Sequence, residues 1–497
     1  MMGVAAGGAG GGNGAAGRQP FGFADIREVG TLDVQAADRY FTENRDRHIA
    51  ELKEFLSIAS VSALPQHRGD IVRAAEWLAA ALRRAGVPDV RIMETGGHPV
   101  VFGQWPVADH LPTALIYGHY DVQPVDPLDL WETPPFEPSL RDGRIYARGA
   151  SDDKGALYVA VKAVEALSAL DGRPPINLKF VFEGEEEIGS PALPEFFRRH
   201  AGLLKADVAV CADGGQWDAD TPCLTVGSKG LAGIQIDVEG ANSDLHSGVH
   251  GGGVQNPIHA LVAILASMRG GDGRIQVEGF YDRVRDLTPE ERADIARVPF
   301  DEEEYKRSLG VDALFGEAGY TTLERQWARP TLEVNGIWGG FQGEGVKTVL
   351  PSRAHAKITC RLVPDQDPDE IIRLLEDHVR RHTPAGVRVT VRAFPGSARP
   401  FLMPREHPAL QAAGRVLAEV YGREPLVVRT GGTIPVAETF RSALGMWMVF
   451  FAFGDHDGNM HAPNEFMRLS SFDRGVRATY RYLHALAGCR PEELRAG

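Results

Sequence analysis

Three short apolar runs that each end in acidic or imidazole side chains constrain the fold of this chain more than any other feature. The runs are TALIYGHYD at 113–121, INLKFVFEGEEE at 176–187 and ADVAVCADGG at 206–215. Helical patterns separate them, notably from Lys154 to Leu170. This alternation predicts an α/β fold with a mainly parallel sheet. Because open α/β sheets bind ligands at the carboxyl ends of their strands, the polar side chains are expected to converge.

The middle of the chain, residues 228–399, follows a different pattern. Its order is strand LAGIQIDVEG, helix NPIHALVAILASM, strand TLEVNGIWGG, strand AHAKITCRLVP, helix DEIIRLLEDHVRRH and strand VRVTVRA. This βαββαβ order is that of a ferredoxin-like module, inserted here into a larger domain. An acidic and helical insertion at about 273–328 interrupts the module, and its role does not follow from the sequence.

The segments on either side are predicted to form one catalytic domain in two parts, 23–227 and 400–497. Helical spacing at 45–56 and 70–84 predicts two opening helices, the second of which ends near Gly86. The second part contains a helix at 407–422, the strands PLVVRT and MWMVFFAFG, and a final helix from about Ser471. The first 22 residues are rich in Gly and Ala and lack the basic and apolar regions of a signal peptide, so a disordered tail is expected there.

Five segments place metal-ligand residue types in loops that follow apolar runs. They are GHYDVQP around His119, RGASDDKG around Asp152, FEGEEEIGS around Glu186, ADGG around Asp213 and GNMHAPNE around His461. Together they offer imidazole nitrogens and carboxylate oxygens, a ligand set that suits zinc, manganese or cobalt. Asp121 can accept a hydrogen bond from the ring nitrogen of His119 that faces away from a metal.

Each of these residues also has an ordinary structural interpretation. His119 could be a capping or core histidine, Asp152 could cap the next helix, and residues 185–187 could form a solvated acidic turn. Three like charges beside a strand end are, however, costly to bury unless cations neutralise them. The five segments occur together on successive strand ends, which favours a metal site over coincidence.

Composition argues against several other classes of function. The chain has 53 Lys and Arg against 67 Asp and Glu, a net charge of -14, which disfavours nucleic acid and anionic membranes as partners. No stretch is apolar enough to span a bilayer. The four cysteines are far apart and contain no C-x-x-C pair, so neither a disulfide framework nor a thiolate zinc site is predicted, and a cytoplasmic location is expected.

The motifs together resemble a known metallopeptidase family. The segments GHYDVQP, RGASDDKG, EGEEEIGS, DLHSGVHGG, KTVLP, RLVP, GGTIP and HAPNE are similar to those of the family that includes carnosinase, glutamate carboxypeptidase, acetylornithine deacetylase and succinyl-diaminopimelate desuccinylase. The resemblance runs from about residue 50 to the C-terminus. DLHSGVHGG and HYDVQP look most like the carnosinase and dipeptidase branch.

The resemblance implies a role for each residue that matches the motifs. It implies one metal ion on His119 and Asp213, a second on Glu187 and His461, and Asp152 as the bridge between them. Glu186 would be the general base, and Asp121 would orient His119. The family often has a cis peptide bond after the bridging aspartate, here between Asp152 and Asp153.

The same resemblance implies a di-zinc exopeptidase fold in which residues 228–399 are a lid and dimerisation domain. His246 of DLHSGVHGG would then reach the active site of the partner subunit in a homodimer and stabilise the tetrahedral intermediate. The substrate contacts implied by the family are Arg361 for a carboxylate, and Thr348, Gly432 and Thr433 as pocket residues.

The predicted function is that of a dipeptidase, a hydrolase that uses metal-activated water to cleave dipeptides or small peptides with a free C-terminal carboxylate. Two zinc ions per subunit are the expected cofactor, with manganese and cobalt as alternatives. An N-acyl amino acid deacylase is a second prediction, and a non-catalytic metal-binding dimer is a third. Glu186 argues against the third, because a pure binding module needs no general base.

Overall fold

The computed structural model describes residues 33–496, so the predicted tail at 1–22 lies outside the described residues. The helices between residues 33 and 228 are α1 (Val34–Leu56), α2 (Arg68–Arg84), α3 (Lys154–Asp171) and α4 (Leu193–Leu204). The strands in this part are β1 (Asp89–Met93), β2 (Val100–Trp105), β3 (Thr113–His119), β4 (Ser139–Arg141), β5 (Arg144–Tyr146), β6 (Asn177–Glu183), β7 (Val208–Cys211), β8 (Gly215–Gln216) and β9 (Cys223–Ser228).

Two further groups of elements complete the described chain. The middle group is β10 (Gly230–Glu239), β11 (Leu245–His246), α5 (Ser247–His250), α6 (Pro257–Ser267), α7 (Pro289–Ala296), α8 (Glu302–Leu309), α9 (Thr322–Ala328), β12 (Thr331–Gly339), β13 (Val349–Leu350), β14 (Arg353–Leu362), α10 (Pro368–His382) and β15 (Arg388–Ala393). The last group is β16 (Phe401–Leu402), α11 (Pro408–Tyr421), β17 (Leu426–Thr430), α12 (Pro435–Leu444), β18 (Met448–Phe450), β19 (Gly454–Asp455), β20 (Phe466–Arg468), α13 (Leu469–Leu486) and α14 (Pro491–Arg495).

A six-stranded sheet forms the centre of the larger unit, with the strand order β1-β2-β6-β3-β7-β18. Strands β6, β3, β7 and β18 are parallel, whereas β1 and β2 join one edge in antiparallel orientation. The predicted α/β fold with a mainly parallel sheet is therefore confirmed. Helix α3 is apolar on nearly all sides, and most of its residues are buried beside this sheet.

The register of the parallel strands brings the polar motifs to one edge. His119, at the end of β3, pairs with Glu183 at the end of β6. On the other side of β3, Tyr117 pairs with Cys211, the last residue of β7. The loops that follow these strands therefore begin side by side, as the sequence predicted for the carboxyl ends of parallel strands.

A second, antiparallel sheet with the order β12-β14-β10-β15 lies within residues 230–393. Numbered within the module, this order is 2-3-1-4, the arrangement of a ferredoxin-like βαββαβ unit. Its apolar core is separate from that of the larger unit and includes residues of β10, β14, α6 and α10. The boundaries 228 and 399 remain a prediction.

Several predicted elements differ from the observed ones. Helix α1 begins at Val34, eleven residues before the predicted start, because Asp33 caps it through a 2.9 Å bond from the amide of Ala36 and because Phe41 adds to the buried face. The strand predicted from MWMVFFAFG is only β18, since the chain leaves β7 after Phe451. Among residues 33–496, no helix combines the length and apolarity needed to cross a membrane.

Candidate metal centre and substrate pocket

His119 lies at the end of β3 with its ring fully buried. Its Nε2 is 3.1 Å from Oδ1 of Asp152 and 4.0 Å from Oδ2 of Asp213. Its Nδ1 faces the other way and is 3.1 Å from the main-chain oxygen of Asp121. The tautomer that donates from Nδ1 to this carbonyl leaves Nε2 free to bind a metal.

Asp121 contacts His119 differently from the sequence-based expectation. The main-chain oxygen of Asp121 is the nearer partner, and its carboxylate oxygen is 3.4 Å from Nδ1. The carboxylate instead accepts the amide hydrogens of Glu186 and Glu187, at 3.2 and 3.1 Å. Asp121 thus connects the His119 loop to the acidic turn, and it contacts the histidine mainly through the backbone.

Asp152 lies just before α3 and joins both histidines. Its Oδ1 faces His119, and its Oδ2 is 2.9 Å from Nε2 of His461. The peptide bond to Asp153 is cis, as the family resemblance implied. The capping interpretation is wrong, because Asp153 is the N-cap residue and neither side chain makes a capping hydrogen bond to α3.

The potential ligand atoms form two groups that share Asp152. In each group the atoms lie within 4.8 Å of one another; the first consists of His119, Asp152 and Asp213, and the second of Asp152, Glu187 and His461. In the second group, Nε2 of His461 is 3.2 Å from Oε2 of Glu187. One carboxylate oxygen of Asp152 faces each group, which is the arrangement that a bridging carboxylate requires.

Burial and the charges of the cluster raise the pKa values of Asp213 and His461. Burial raises the pKa of Asp213 to about 6, with Asp152 and Glu187 adding to the shift and His119 opposing it. Hydrogen bonds to Asp152 and Glu187 raise the pKa of His461 to about 10. Several carboxylates therefore compete for two imidazoles, a concentration of negative charge that divalent cations would neutralise.

The three consecutive glutamates after β6 have different surroundings. Glu185 points away from the ligand groups and accepts the amide hydrogens of His98 at 2.8 Å and Ala192 at 3.3 Å. Glu187 accepts a 2.8 Å hydrogen bond on Oε2 from the side-chain Nε2 of Gln123, while its Oε1 is buried with no hydrogen-bond partner in the described structure. The turn thus separates a structural carboxylate from a ligand candidate.

Glu186 lies between these two residues and borders a cavity. Burial raises its pKa well above the usual value; the charge of His119 opposes the shift, and those of Asp213 and Glu187 add to it. The cavity has a volume of about 340 Å³. Its lining includes Glu186, Asp213, Trp217, Thr433, Ile434 and Phe450. A carboxylate beside both the ligand groups and a mainly apolar cavity can exchange protons with a molecule bound there.

The sequence did not single out Glu465, which supports the Asp152 loop. Its side chain is fully buried, and its Oε1 accepts the amide hydrogens of Ser151 at 2.9 Å and Asp152 at 3.0 Å. Its Oε2 accepts from the amide of Gly149 at 2.9 Å and from Nη1 of Arg148 at 2.8 Å. The HAPNE motif contained this residue, but no sequence pattern distinguished it from a metal ligand.

The predicted substrate residues fall into two places. Nη1 of Arg361, on β14, donates a 2.6 Å hydrogen bond to Oγ1 of Thr433, and Gly432 precedes that threonine. His246 and Thr348 lie together elsewhere, at the β11–β13 ladder, where the amide of Ser247 donates to the oxygen of Thr348. Within residues 33–496, no hydrogen bond or ion pair connects His246 or Thr348 to the ligand groups.

The chain is similar to known metallopeptidases over most of its length. Residues 115–485 match the family model described as peptidase family M20/M25/M40. The Cys-Gly metallodipeptidase dug1 of Schizosaccharomyces pombe is 34% identical over 464 residues, which cover 90% of this chain and 97% of that protein. The Beta-Ala-His dipeptidase of Homo sapiens is 31% identical over 459 residues, which cover 88% of this chain and 90% of that protein.

A solved structure extends the likeness to three dimensions. The M20 family metallo-carboxypeptidase Sso-CP2 from Sulfolobus solfataricus is 34% identical, with a TM-score of 0.75. The match covers 88% of this chain and 99% of that one.

Proposed function

The chain belongs to peptidase family M20/M25/M40, and from that membership we propose that it is a two-metal dipeptidase that cleaves substrates with a free C-terminal carboxylate. The observation that carries the proposal is the pair of ligand groups that share Asp152, with Glu186 between them and a cavity. The names of the Schizosaccharomyces pombe and human relatives, both dipeptidases, support the substrate class.

The residues fit two divalent cations. His119 and Asp213 would hold one, Glu187 and His461 the other, and Asp152 both. The fit is supported by the buried Oε1 of Glu187, which lacks a hydrogen-bond partner in the described structure. Nitrogen and oxygen ligands suit zinc, with manganese and cobalt as alternatives. When bound, such ions lower the pKa of water and polarise a carbonyl group.

Glu186 acts in this proposal as the general base. Its main-chain amide donates to Asp121, which fixes the turn, while its carboxylate borders the cavity. It takes a proton from the attacking water and returns it to the nitrogen of the leaving amine. Its neighbour Glu185, held by main-chain amides on the other side of the turn, has no part in the chemistry.

Arg361 and Thr433 supply the carboxylate site of the proposal. Arg361 lies on β14 of the second sheet, Thr433 lies in the loop after β17 of the larger unit, and the hydrogen bond between them joins the two. A guanidinium group can bind a carboxylate through two parallel hydrogen bonds, so the C-terminal group of a dipeptide would be held here. The nearby Gly432 offers a main-chain amide, which donates to Thr430 in this structure.

The proposal includes a homodimer formed through the module at 228–399. Strand β12 is an edge strand of the second sheet, and it exposes Val334 and Ile337. Such an apolar edge favours an interface. Exposed His246, together with Thr348, would then enter the active site of the partner subunit and stabilise the oxyanion. A cytoplasmic location, supported by four free and buried cysteines, completes the proposal.

A carboxypeptidase that accepts longer peptides is the second candidate, favoured by the name of the Sulfolobus solfataricus protein. Hydrolysis of dipeptides, tripeptides and N-acetyl amino acids by the Zn²⁺-reconstituted protein separates the possibilities, with Glu186→Ala as the inactive control. Dipeptide cleavage that Glu186→Ala abolishes supports the proposal. Preference for tripeptides favours the carboxypeptidase, and preference for N-acetyl amino acids a deacylase. No turnover with zinc, manganese or cobalt would overturn the assignment in favour of a binding protein.

A further inference from the structure

The insertion whose role the sequence left open packs against the catalytic unit. Its helices α7 and α9 lie on β17, which belongs to the part of the chain after residue 400. A separate apolar cluster forms there and includes Ile295 and Leu323 from the insertion and Leu426 and Val428 from β17. The insertion therefore contacts the larger unit at β17, and the chain continues from it into the second sheet at β12.

An ion cluster around Arg429 joins helix α7 of the insertion to β17. The Arg429 side chain is only 9% exposed, and it pairs with Glu291 of α7. The same carboxylate also accepts from Arg285, at 2.7 and 2.8 Å, and from the amide of Thr288 at 2.9 Å. Loss of the Glu291 charge would leave a buried guanidinium without its counter-charge, so this contact holds α7 firmly on β17.

Helix α9 of the insertion makes close main-chain contacts with the larger unit beside the cavity. Nζ of Lys229 donates to the main-chain oxygen of Arg325 at 3.0 Å. A Cβ atom on Gly431 would lie 2.9 Å from the oxygen of Gln326, so the loop before Thr433 needs a glycine to approach α9 this closely. The next residue of α9, Trp327, lines the cavity that Glu186 borders.

The position of the cavity indicates which part of a substrate enters it. The scissile carbonyl must lie at the ligand groups, and the segment from Asp213 to Gly215 connects that point to the cavity wall. The side chain nearest that carbonyl in a dipeptide is the one on its N-terminal residue. Trp217, Trp327 and Phe450 give the cavity an aromatic lining, which favours a large apolar side chain there.

We propose that Trp327 is a specificity-determining residue, through which the insertion selects dipeptides with a large apolar N-terminal side chain. Glu291 is a positioning residue in this proposal, because it holds the insertion on β17 through Arg429. The inference rests on the proposed dipeptidase function, since it assigns the aromatic wall of the cavity to the side chain of the N-terminal residue, while Thr433, which also lines the cavity, belongs to the site of the C-terminal carboxylate.

The test compares Phe-Gly with Ala-Gly, and Gly-Phe with Gly-Ala, in the protein and in Trp327→Ala. We expect the Phe-Gly to Ala-Gly ratio of kcat/KM to fall at least tenfold, on the order of the discrimination that apolar pockets achieve, while the Gly-Phe to Gly-Ala ratio stays within about twofold. Trp327→Phe keeps an apolar ring and is the control for a folding defect in Trp327→Ala. It should give an intermediate ratio. An unchanged ratio, or equal losses in both series, would overturn the proposal.

Dissociation constants measured in a Glu186→Ala background separate the two proposals. There the same shift in preference between Phe-Gly and Ala-Gly is expected without turnover, so a failure of the dipeptidase function does not hide it. Glu291→Gln keeps an oxygen for the Thr288 amide but removes the charge, and it should lower the same ratio severalfold. Glu290→Gln, an identical change at an exposed position of α7, is the matched control and should leave it unaltered. Equal behaviour of the two variants would refute the positioning role.

Discussion

Replacement of Glu465 by Gln should weaken metal binding without changing any proposed ligand. Four donors converge on the two carboxylate oxygens, at 2.8 to 3.0 Å. A glutamine offers one acceptor oxygen and places an NH₂ group where the other oxygen was. Two of the four donors therefore lose their acceptor, whichever way the amide is oriented.

The magnitude follows from which donors are lost. If the amide oxygen stays on Arg148 and Gly149, the buried amides of Ser151 and Asp152 are unpaired, at about 1–3 kcal/mol each. If it stays on the two amides, Arg148, whose side chain is 1% exposed, loses its counter-charge, which costs about 3–5 kcal/mol. The first orientation therefore lowers the free energy of unfolding by about 2–6 kcal/mol, and the second by about 3–5 kcal/mol.

The effect on the metals passes through the segment 148–152, which ends at Asp152. In either orientation of the glutamine, this segment loses two of the four hydrogen bonds that fix its position. Loss of the hydrogen bond that orients a ligand typically costs about 10- to 100-fold in metal affinity. We expect Zn²⁺ affinity, measured by competition with a chromophoric chelator, to fall by that factor, and urea denaturation to report the loss of stability. Glu76→Gln, at an exposed position of α2, is the control. A folded Glu465→Gln variant with undiminished Zn²⁺ affinity would refute the positioning argument.

Three further predictions test other parts of the structure. Burial by itself would raise the pKa of Glu165, but hydrogen bonds from His48, Arg47 and Lys162 hold it below its usual 4.5. The stabilisation by Glu165 is therefore present above that pH and is lost as the pH falls through the folded-state pKa. Glu165→Gln should cost about 3 kcal/mol at pH 7 in urea denaturation, with the difference vanishing in acid. Gly118→Ala would place a Cβ atom 2.6 Å from Oδ2 of Asp153, which accepts the amide of His119, and calorimetry should show a loss of about 1–3 kcal/mol together with weaker Zn²⁺ binding. Removal of divalent metals by a chelator should lower Tm, and Zn²⁺ at 100 times its Kd should restore about 2.7 kcal/mol; an unchanged Tm would contradict the two ligand groups.

The sequence predicted the polar edge of the central sheet well because strand ends carry a local signal. The apolar run before His119 ends with the strand β3 at that residue, and Asp213 lies two residues after the end of β7. Parallel pairing then brings these ends together, since neighbouring strands run in the same direction and end at the same edge of the sheet. The antiparallel strands β1 and β2 were not predicted. β1 is a partly exposed edge strand with a weak apolar pattern, and β2, although mostly buried, has an apolar run of only three residues before Gly103.

The long-range contacts of the insertion could not be predicted from the sequence, for a different reason. The contact between Glu291 and Arg429 joins residues 138 positions apart, and each looks like an ordinary surface charge in its own segment. Trp327 likewise follows a polar helix start, with nothing nearby that relates it to Glu186. Only the packing of α9 against β17 brings it to the cavity.

The three glutamates after β6 belong to one motif, but their side chains have different surroundings. Adjacent side chains in a turn point in different directions, so each of the three glutamates has a different environment. Glu185 is bound by main-chain amides, Glu186 faces the cavity, and Glu187 is held by Gln123 beside His461. The Asp121 carboxylate, which accepts the amides of the last two, sets this division. In the proposed mechanism, the fixed turn therefore assigns proton transfer to Glu186 and metal binding to Glu187, although the two residues are chemically identical.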